Sequence, residues 1–369
     1  MKIKIVSSPV DRYKFHEYFD SRSLDSSRGD WFDRFESYTI SSRIFQPYLR
    51  KTKHQKWILE DNNKVIGRIA AMHPNSGPGR FGLLHCINDQ NALYLLLKTA
   101  EDWLANRGLN EIIGPFFPSI HEGCGLLEIG KQPVMYGYPV TPIEFISHLE
   151  SFGYYKAKKL LTFQQSDKGR LEKIRSKLSP TISSLSKKGY QFSCARWKHF
   201  RLHSRWLNQL INECWSSNWG FEPITIKESQ QLLIRILTFL PAGSLQFTLR
   251  NGRPIAIALG IPDARRIASK CPKWLGILNL IFVILSMKRG PFSHGRIALL
   301  GVIPEYQSSH ESLVSTFAML ENLIKMGENL GSNCAEMGWI LEDNTSMLRF
   351  LKLYGGECVM EHVIMGKEL

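Results

Sequence analysis

The sequence predicts an α/β protein made of two tandem copies of one unit, each a mixed, twisted sheet flanked by helices. Three observations lead to that class. Residues 296–354 order themselves as strand, helix, strand, helix, strand. The hairpin-like WILEDNNKVIGRIAA from Trp57 has a counterpart in FTLRNGRPIAIALG from Phe247. The strings HLESFGYY from His148 and FLKLYGGE from Phe350 both close a helix with an aromatic residue and a glycine before a last strand.

Residues Lys2 to Ser7 alternate as a strand, and Pro9 opens a helical stretch holding Tyr13, Phe15, Tyr18 and Phe19. Ser21 to Arg43 is polar and aromatic with little period, which predicts a surface loop with at most one short helix. A hairpin follows, Lys56 to Leu59 and Val65 to Ala71, turned at Asp61-Asn62-Asn63. After the loop at Gly77-Pro78-Gly79 come a strand from Phe81 to Cys86 and a helix from Asn91 to Arg107. That helix carries Leu93, Leu96, Leu97, Ala100, Trp103 and Leu104 and stops at Gly108. Glu111 to Ile113 is a short strand. In the second half, the apolar run Ile297 to Ile303 ends at Pro304. Leu313, Phe317, Leu320, Ile324 and Met326 then recur at helical spacing. A further run, Asn333 to Leu341, precedes a helix that opens at Asp343-Asn344 and breaks at Gly355.

With 369 residues, 43% hydrophobic and 22% charged, the chain suits two ordinary domains and is excluded from the disordered class. The expected division is 1–165, a basic linker at 166–188, and 189–369, the second copy lengthened by an insertion between Pro262 and His294. The linker, with Lys168, Arg170, Lys173, Arg175 and Lys177 and then Lys187-Lys188, reads either as a solvated connector or as a cationic rim for phosphates. A net charge of +14 and a pI near 9.4 call for an anionic partner: a phosphorylated cofactor, an acidic membrane surface or nucleic acid. Nucleic acid is the weakest of these, since no helix-turn-helix, zinc finger or aromatic-basic repeat is visible. Seven scattered cysteines without a C-x-x-C pair indicate reduced thiols in a cytosolic setting and argue against zinc. His199, His203 and His294 lie too far apart in sequence to suggest a metal site. The N-terminus lacks the long apolar core of a secretory signal.

A strand that turns directly into a helix leaves the first helical amides unpaired at the positive end of the dipole, a setting that suits phosphate. Here those amides belong to Gln307-Ser308-Ser309-His310-Glu311-Ser312. The segment resembles the GNAT superfamily of N-acyltransferases, whose signature is a strand, a Gln/Arg-x-x-Gly-x-Gly/Ala turn and a helix cradling the pyrophosphate of coenzyme A. Gln307 and Ser312 fit the first and last positions, while His310 stands where the family has glycine. Further along, GPFFPSIHEGCGLL from Gly114, INECWSSNWGFEPIT from Ile211 and MGWILEDNTSM from Met337 are similar to a bacterial family of tandem GNAT proteins described as acyltransferases. In the first copy, Phe117 and His121 replace the asparagines expected from that resemblance, which implies a first copy without its own cofactor.

What the resemblance implies is N-acyl transfer from an acyl-CoA or acyl carrier protein thioester to an amine, without a metal. The cofactor would be held by Val302, Gln307, Ser308, Ser309, His310, Ser312 and Asn344. Glu336, inside an otherwise apolar strand, would have a raised pKa and could take the ammonium proton; the bland reading is an edge-strand glutamate facing solvent. Glu305 is the competing, more exposed base. The family's acid, a tyrosine seven residues after the asparagine, falls on Leu351, so Tyr354 is the substitute one turn on, with packing at the helix end as its other reading. Asn344 reads as a helix cap or as a donor toward the pantetheine arm. Asn218, Trp219 and Phe221 would wall an acceptor slot or fill a core. The alternative function is a degenerate relative that only binds an acyl-thioester or a protein partner.

The insertion contains Trp274 to Met287, apolar all round and flanked by Lys273 and Lys288-Arg289. It is shorter than the roughly 18–20 residues that cross a bilayer. It reads as a core helix, or as one that dips into a membrane interface or lines an acyl tunnel. With the basic surface, it points to a long or hydrophobic amine such as a sphingoid base, and to a cytoplasmic protein peripheral on the inner membrane face.

Overall fold

The computed structural model describes residues 1–17, 30–131, 135, 138, 141–165 and 168–369. The chain separates into two compact units. The first comprises Met1–Leu160, Ala268–Asn279 and Met360–Leu369, the second Leu161–Ile267 and Leu280–Val359. This departs from the expected division: the chain leaves the first unit at residue 160, and its last ten residues return to it.

In chain order the elements begin with β1 (Lys2–Ile5), α1 (Pro9–Glu17), α2 (Asp30–Ser41), α3 (Pro47–Lys51), β2 (Lys53–Asp61), β3 (Lys64–His73), β4 (Gly79–Cys86), α4 (Gln90–Ala105), β5 (Glu111–Phe116), β6 (Leu126–Ile129), α5 (Phe145–Ser151) and β7 (Tyr155–Gln165). There follow α6 (Lys168–Ser184), β8 (Tyr190–Cys194), α7 (Phe200–Cys214), α8 (Ile226–Phe239), β9 (Leu245–Arg250), β10 (Arg253–Pro262), α9 (Ala264–Ala268) and α10 (Asn279–Arg289). The chain ends with β11 (His294–Val302), α11 (His310–Asn329), β12 (Cys334–Leu341), α12 (Thr345–Tyr354) and β13 (Gly356–Glu368).

In the first unit the strands run in the order β1-β2-β3-β4-β5, and the end of β13 closes the row against β5, from Met365 opposite Gly114 to Glu368 opposite Glu111. In the second unit the order is β12-β11-β10-β9-β8. Both sheets are mixed: hairpins pair antiparallel, while β4 with β5 and β11 with β12 are parallel. The two expected hairpins turn alike. Asn62 and Asn63 have φ of 46° and 62°, and Asn251 and Gly252 have 50° and 80°, so each turn has both central residues left-handed, the geometry whose twist matches the strands it joins.

One helix buries an apolar stripe on each sheet. In the first unit Leu93, Leu96, Leu97, Ala100 and Leu104 of α4 pack with Trp57, Leu59, Ile69 and Phe81. In the second, Val314, Phe317, Leu320 and Leu323 of α11 pack with Phe247, Leu249, Ile257, Leu351 and Tyr354. Leu313, expected on that stripe, is exposed, because the inward face starts one residue later at Val314.

Three further expectations change. Residues 21–43, read as a surface loop with at most one short helix, contain α2, whose Phe32 and Ile40 are buried and not at the surface; residues 18–29, with Tyr18 and Phe19 of the expected first helix, fall outside those described. The helix α6, read as linker, lays Ile174, Leu178 and Ile182 on the second core, so every third or fourth residue of a basic sequence is an apolar anchor. The apolar run Trp274–Met287 is not one core helix. A 3-10 turn, Lys273–Leu278, leads into α10 through Asn279, and much of the run is exposed. Among the described residues no helix is long and apolar enough to cross a membrane.

Phe317 is 3% exposed and central to the α11 contact. Phe317→Ala should lower unfolding stability by about 3–5 kcal/mol, measured by chemical denaturation, whereas Leu313→Ala on the outer face should change it by less than about 1 kcal/mol.

Candidate active site at the parting of β11 and β12

The strands β11 and β12 begin as a regular parallel pair, from His294 opposite Cys334 to Ile297 opposite Met337, and no pairing continues beyond those four. The reason lies on the other edge of β11. Its antiparallel ladder with β10 matches Leu259 to Leu299 but Gly260 to Ile297, so Ala298 is an extra residue. Such a bulge kinks and twists the strand that carries it. Past Ala298, β11 stays with β10 and leaves β12. Ile303 donates its N–H to the Ile255 carbonyl at 3.0 Å on the β10 side. By strand alternation, the N–H and C=O groups of Leu300 and Val302 therefore point toward the side that β12 has vacated.

Several side chains fix the two lips. The buried Arg296 donates from Nε to the Gly338 carbonyl at 2.8 Å, with its guanidinium 4.5 Å from the Trp339 ring centroid. Gln307 donates from Nε2 to the Val302 carbonyl at 2.9 Å and so folds the turn back on the end of β11. The Trp215 ring lies against the β11 backbone at Gly301, where a β-carbon would come within 2.8 Å of it. Glycine is what lets the end of α7 approach there.

The turn leads directly into α11. Ser309 caps it, its hydroxyl accepting from the Ser312 amide at 3.0 Å. The amides of Ser308 and His310 have no acceptor among the described residues. The side chains of Ser308 and His310 are exposed, so His310 does not fill the turn, and Ser312 is buried. Glu311 meets Lys188 at 2.7 Å, and Arg253 meets Glu305 at 2.9 Å, so carboxylates and cations both border the helix start. Hydrogen bonding from Lys188 holds the Glu311 carboxyl below the ordinary range. Glu305, the alternative base, is exposed in its pair.

Glu336 is half-buried on β12, opposite Arg296 in register, one residue before pairing ends. It shares a strand face with Cys334, whose thiol is pushed up by burial and next by the Glu336 charge. Asn344 caps α12: its Oδ1 accepts from the Met347 amide at 3.1 Å. Asn218, Trp219 and Phe221 lie in the turn after α7, all half-buried, with Phe221 packed on the core. Sequence reasoning missed the residues that hold this turn. Asn212 donates to the Ile224 carbonyl at 2.9 Å and accepts from the Ile224 amide at 2.9 Å, and Asn208 donates to the same carbonyl at 2.8 Å.

Tyr354 is 1% exposed, and its hydroxyl donates to Glu321 Oε1 at 3.0 Å, while Arg175 of α6 binds the other oxygen. Burial, then the Glu321 charge, push the phenol far above its ordinary pKa. An acid role would require this phenol to leave Glu321 and the core. The first unit contains the same device. Tyr154 donates to Glu101 at 2.9 Å and Lys367 meets the same carboxylate at 3.0 Å. Glu101 is the twelfth residue of α4, and Glu321 the twelfth of α11. The recurrent glutamate inside an apolar helix face was the signal that could have revealed both.

The first unit has a related arrangement: β4 and β5 pair as far as Gly82 opposite Phe116, with a register shift after Arg80, while β4 runs on to Cys86 and gains its own extra residue against β3 between Gly82 and His85. A β-carbon on Gly82 would fall 2.0 Å from the Phe116 carbonyl oxygen, and the copies differ at the helix start. The helix start is capped by the Asp89 carboxylate, which accepts from the Ala92 amide at 2.7 Å. The buried Phe117 stacks on His85 with ring centroids 5.9 Å apart. Among the described residues no group of His, Cys, Asp or Glu is arranged to hold a metal ion.

No family profile matches the chain. It is 24% identical over 326 residues to a protein of Caulobacter vibrioides named bacterial ceramide synthase, an alignment covering 84% of this chain and 82% of that one. It is 26% identical over 326 residues to the Escherichia coli protein YghO, covering 85% and 82%. Among solved structures, a tandem GNAT protein from the clavulanic acid biosynthesis pathway superposes with a TM-score of 0.56 at 11% identity, over 100% of this chain and 98% of that one. A probable N-acyltransferase of Enterococcus faecalis gives 0.51 at 8% identity, over 100% and 72%.

Tyr354→Phe removes one hydrogen bond to a buried carboxylate. Denaturant unfolding should show a loss of about 1.5–3 kcal/mol, with any activity of the folded protein retained. Lost activity at unchanged stability would return Tyr354 to the role of acid.

Proposed function

The chain is a tandem GNAT-fold protein, and from that premise we propose that its second unit is an N-acyltransferase moving an acyl group from an acyl-CoA or acyl carrier protein thioester to an amine. The observation that carries this reading is the parting of β11 from β12 after four pairs, directly beside the open start of α11. The edge groups of Leu300 and Val302 are suited to pair with the amides of a pantetheine arm, as a missing strand would. The free amides of Ser308 and His310, with the α11 dipole behind them, suit a pyrophosphate. Gln307 and Ser309 shape that turn, Ser312 fills the space beneath it, and Asn344 caps the helix on the opposite lip.

In the reaction the amine nitrogen forms a bond to the thioester carbonyl carbon, the carbon–sulfur bond breaks, and the thiol leaves. Glu336, half-buried where the lips divide, is the group proposed to take the ammonium proton. The leaving thiolate takes its proton from water or from the exposed His310, because Tyr354 is committed to Glu321. Asn218, Trp219 and Phe221 are proposed to border the acceptor. The name carried by the Caulobacter relative favours a long-chain lipid amine, such as a sphingoid base, as that acceptor. The first unit is proposed to hold no thioester: the buried Phe117 stacks on His85 of β4, and a capping carboxylate at Asp89 repels phosphate.

A second reading is a binding-only relative, favoured by the burial of Tyr354 against Glu321, which keeps that phenol from protonating a leaving thiolate. Thiol release from long-chain acyl-CoA, followed with and without lipid amines, separates the two. Amine-dependent release is expected, and Glu336→Gln should lower kcat about 10²-fold or more with KM for the thioester unchanged. Calorimetric binding of acyl-CoA without release on any amine would establish the second reading and overturn the first.

A further inference from the structure

The segment that leads into α10, and α10 itself, carry large apolar side chains in solvent: Trp274 is 83% exposed, Ile277 57%, Leu278 63%, Ile281 62%, Phe282 53% and Leu285 46%. Of these, Ile281, Phe282 and Leu285 lie on α10 at the i, i+1, i+4 spacing of one helix face. The opposite face is anchored: Asn279 is 2% exposed and donates to the Pro272 carbonyl at 2.8 Å, Val283 is 2% exposed, and Met287 packs on the core. The outward stripe is therefore a held surface of the fold and not a frayed end. Exposed apolar contact of this extent has a cost in water unless something covers it.

Charge indicates what covers it. From Ala264 to Pro304 the sequence contains no aspartate or glutamate; Arg265 and Arg296 are buried and Arg266 pairs with Asp263, while Lys270, Lys288 and Arg289 are on the surface. Lys270 precedes the exposed stripe, Lys288 and Arg289 follow it, and all three are exposed. An apolar stripe between cations, on a protein of net charge +14, matches an anionic lipid bilayer: the hydrocarbon boundary takes the stripe and the phosphate layer takes the cations. The exposed Lys270, Lys288 and Arg289, with no carboxylate between them in the chain, suit a uniformly anionic surface better than one of mixed charge.

We propose that the face of α10 formed by Ile281, Phe282 and Leu285, with Lys288 and Arg289 after it, docks this protein on an anionic membrane surface. The docking goes beyond the acyl-transfer reading and stands without it, since the measurement is of binding and not of turnover. It also gives that reading a route for a lipid amine, which would reach the enzyme from the bilayer.

The test is co-flotation of the full chain with vesicles of phosphatidylcholine alone and of phosphatidylcholine mixed with phosphatidylglycerol. The wild type should float with the mixed vesicles at least about tenfold more than with the neutral ones, and salt should weaken this. Ile281→Ser/Phe282→Ser and Lys288→Glu/Arg289→Glu should each lower binding to mixed vesicles about tenfold or more while keeping the thermal midpoint, because all four side chains are exposed. Equal binding to both vesicle types, or unchanged binding by the serine variant, overturns the proposal. So does a dimer that the serine variant dissolves without any vesicle binding, which would make a second copy the occupant.

Discussion

The extra residue at Ala298 governs the second unit. A strand cannot keep two ladders in step when one of its edges has gained a residue, so β11 holds β10 and yields β12. The backbone groups released by that choice are costly to bury unanswered. The fold answers some of them locally, through Gln307 at the Val302 carbonyl and Arg296 at the Gly338 carbonyl, and leaves the Leu300 groups and the Val302 amide an open edge. The glycines at 301 and 338 belong to the same arrangement. One admits Trp215 and the other admits Thr162, each nearer than a β-carbon would allow.

The two copies share their architecture down to one buried cluster of charges. Both units hold a glutamate at the same position of the helix on the sheet, bound to a tyrosine and a cation. A buried carboxylate so answered is tolerable, and it ties three separate elements in each unit. The copies differ where strand meets helix. Ser309 against Asp89 changes the charge at a helix start, whereas the bulge is common to both: β4 gains a residue against β3 as β11 does against β10.

The insertion after β10 carries a separate property. Its inner residues, Asn279, Val283 and Met287, keep the spacing of a packed helix, while the outer ones are as apolar as a core and lie in solvent. Hydrophobicity on every face, read along the chain alone, suggested complete burial. Burial of one face and exposure of the other is a tertiary outcome, because only the packed structure shows which side has neighbours.

Local pattern by itself determined the hairpins, whose asparagine turns need left-handed residues, the long helices α4 and α11 with their apolar stripes, and the duplication, since each rests on residues close together in the chain. It also marked the polar turn at Gln307–Ser312 as a helix start. Only the tertiary structure decided that residues 360–369 complete the first unit, that basic α6 is anchored in the second core, and that Tyr354 is held by Glu321. Those depend on partners many residues away, to which a local period is blind. The bulge belongs with them: within the apolar run of residues 296–302, Ala298 differs from its neighbours only in the register that two other strands impose on it.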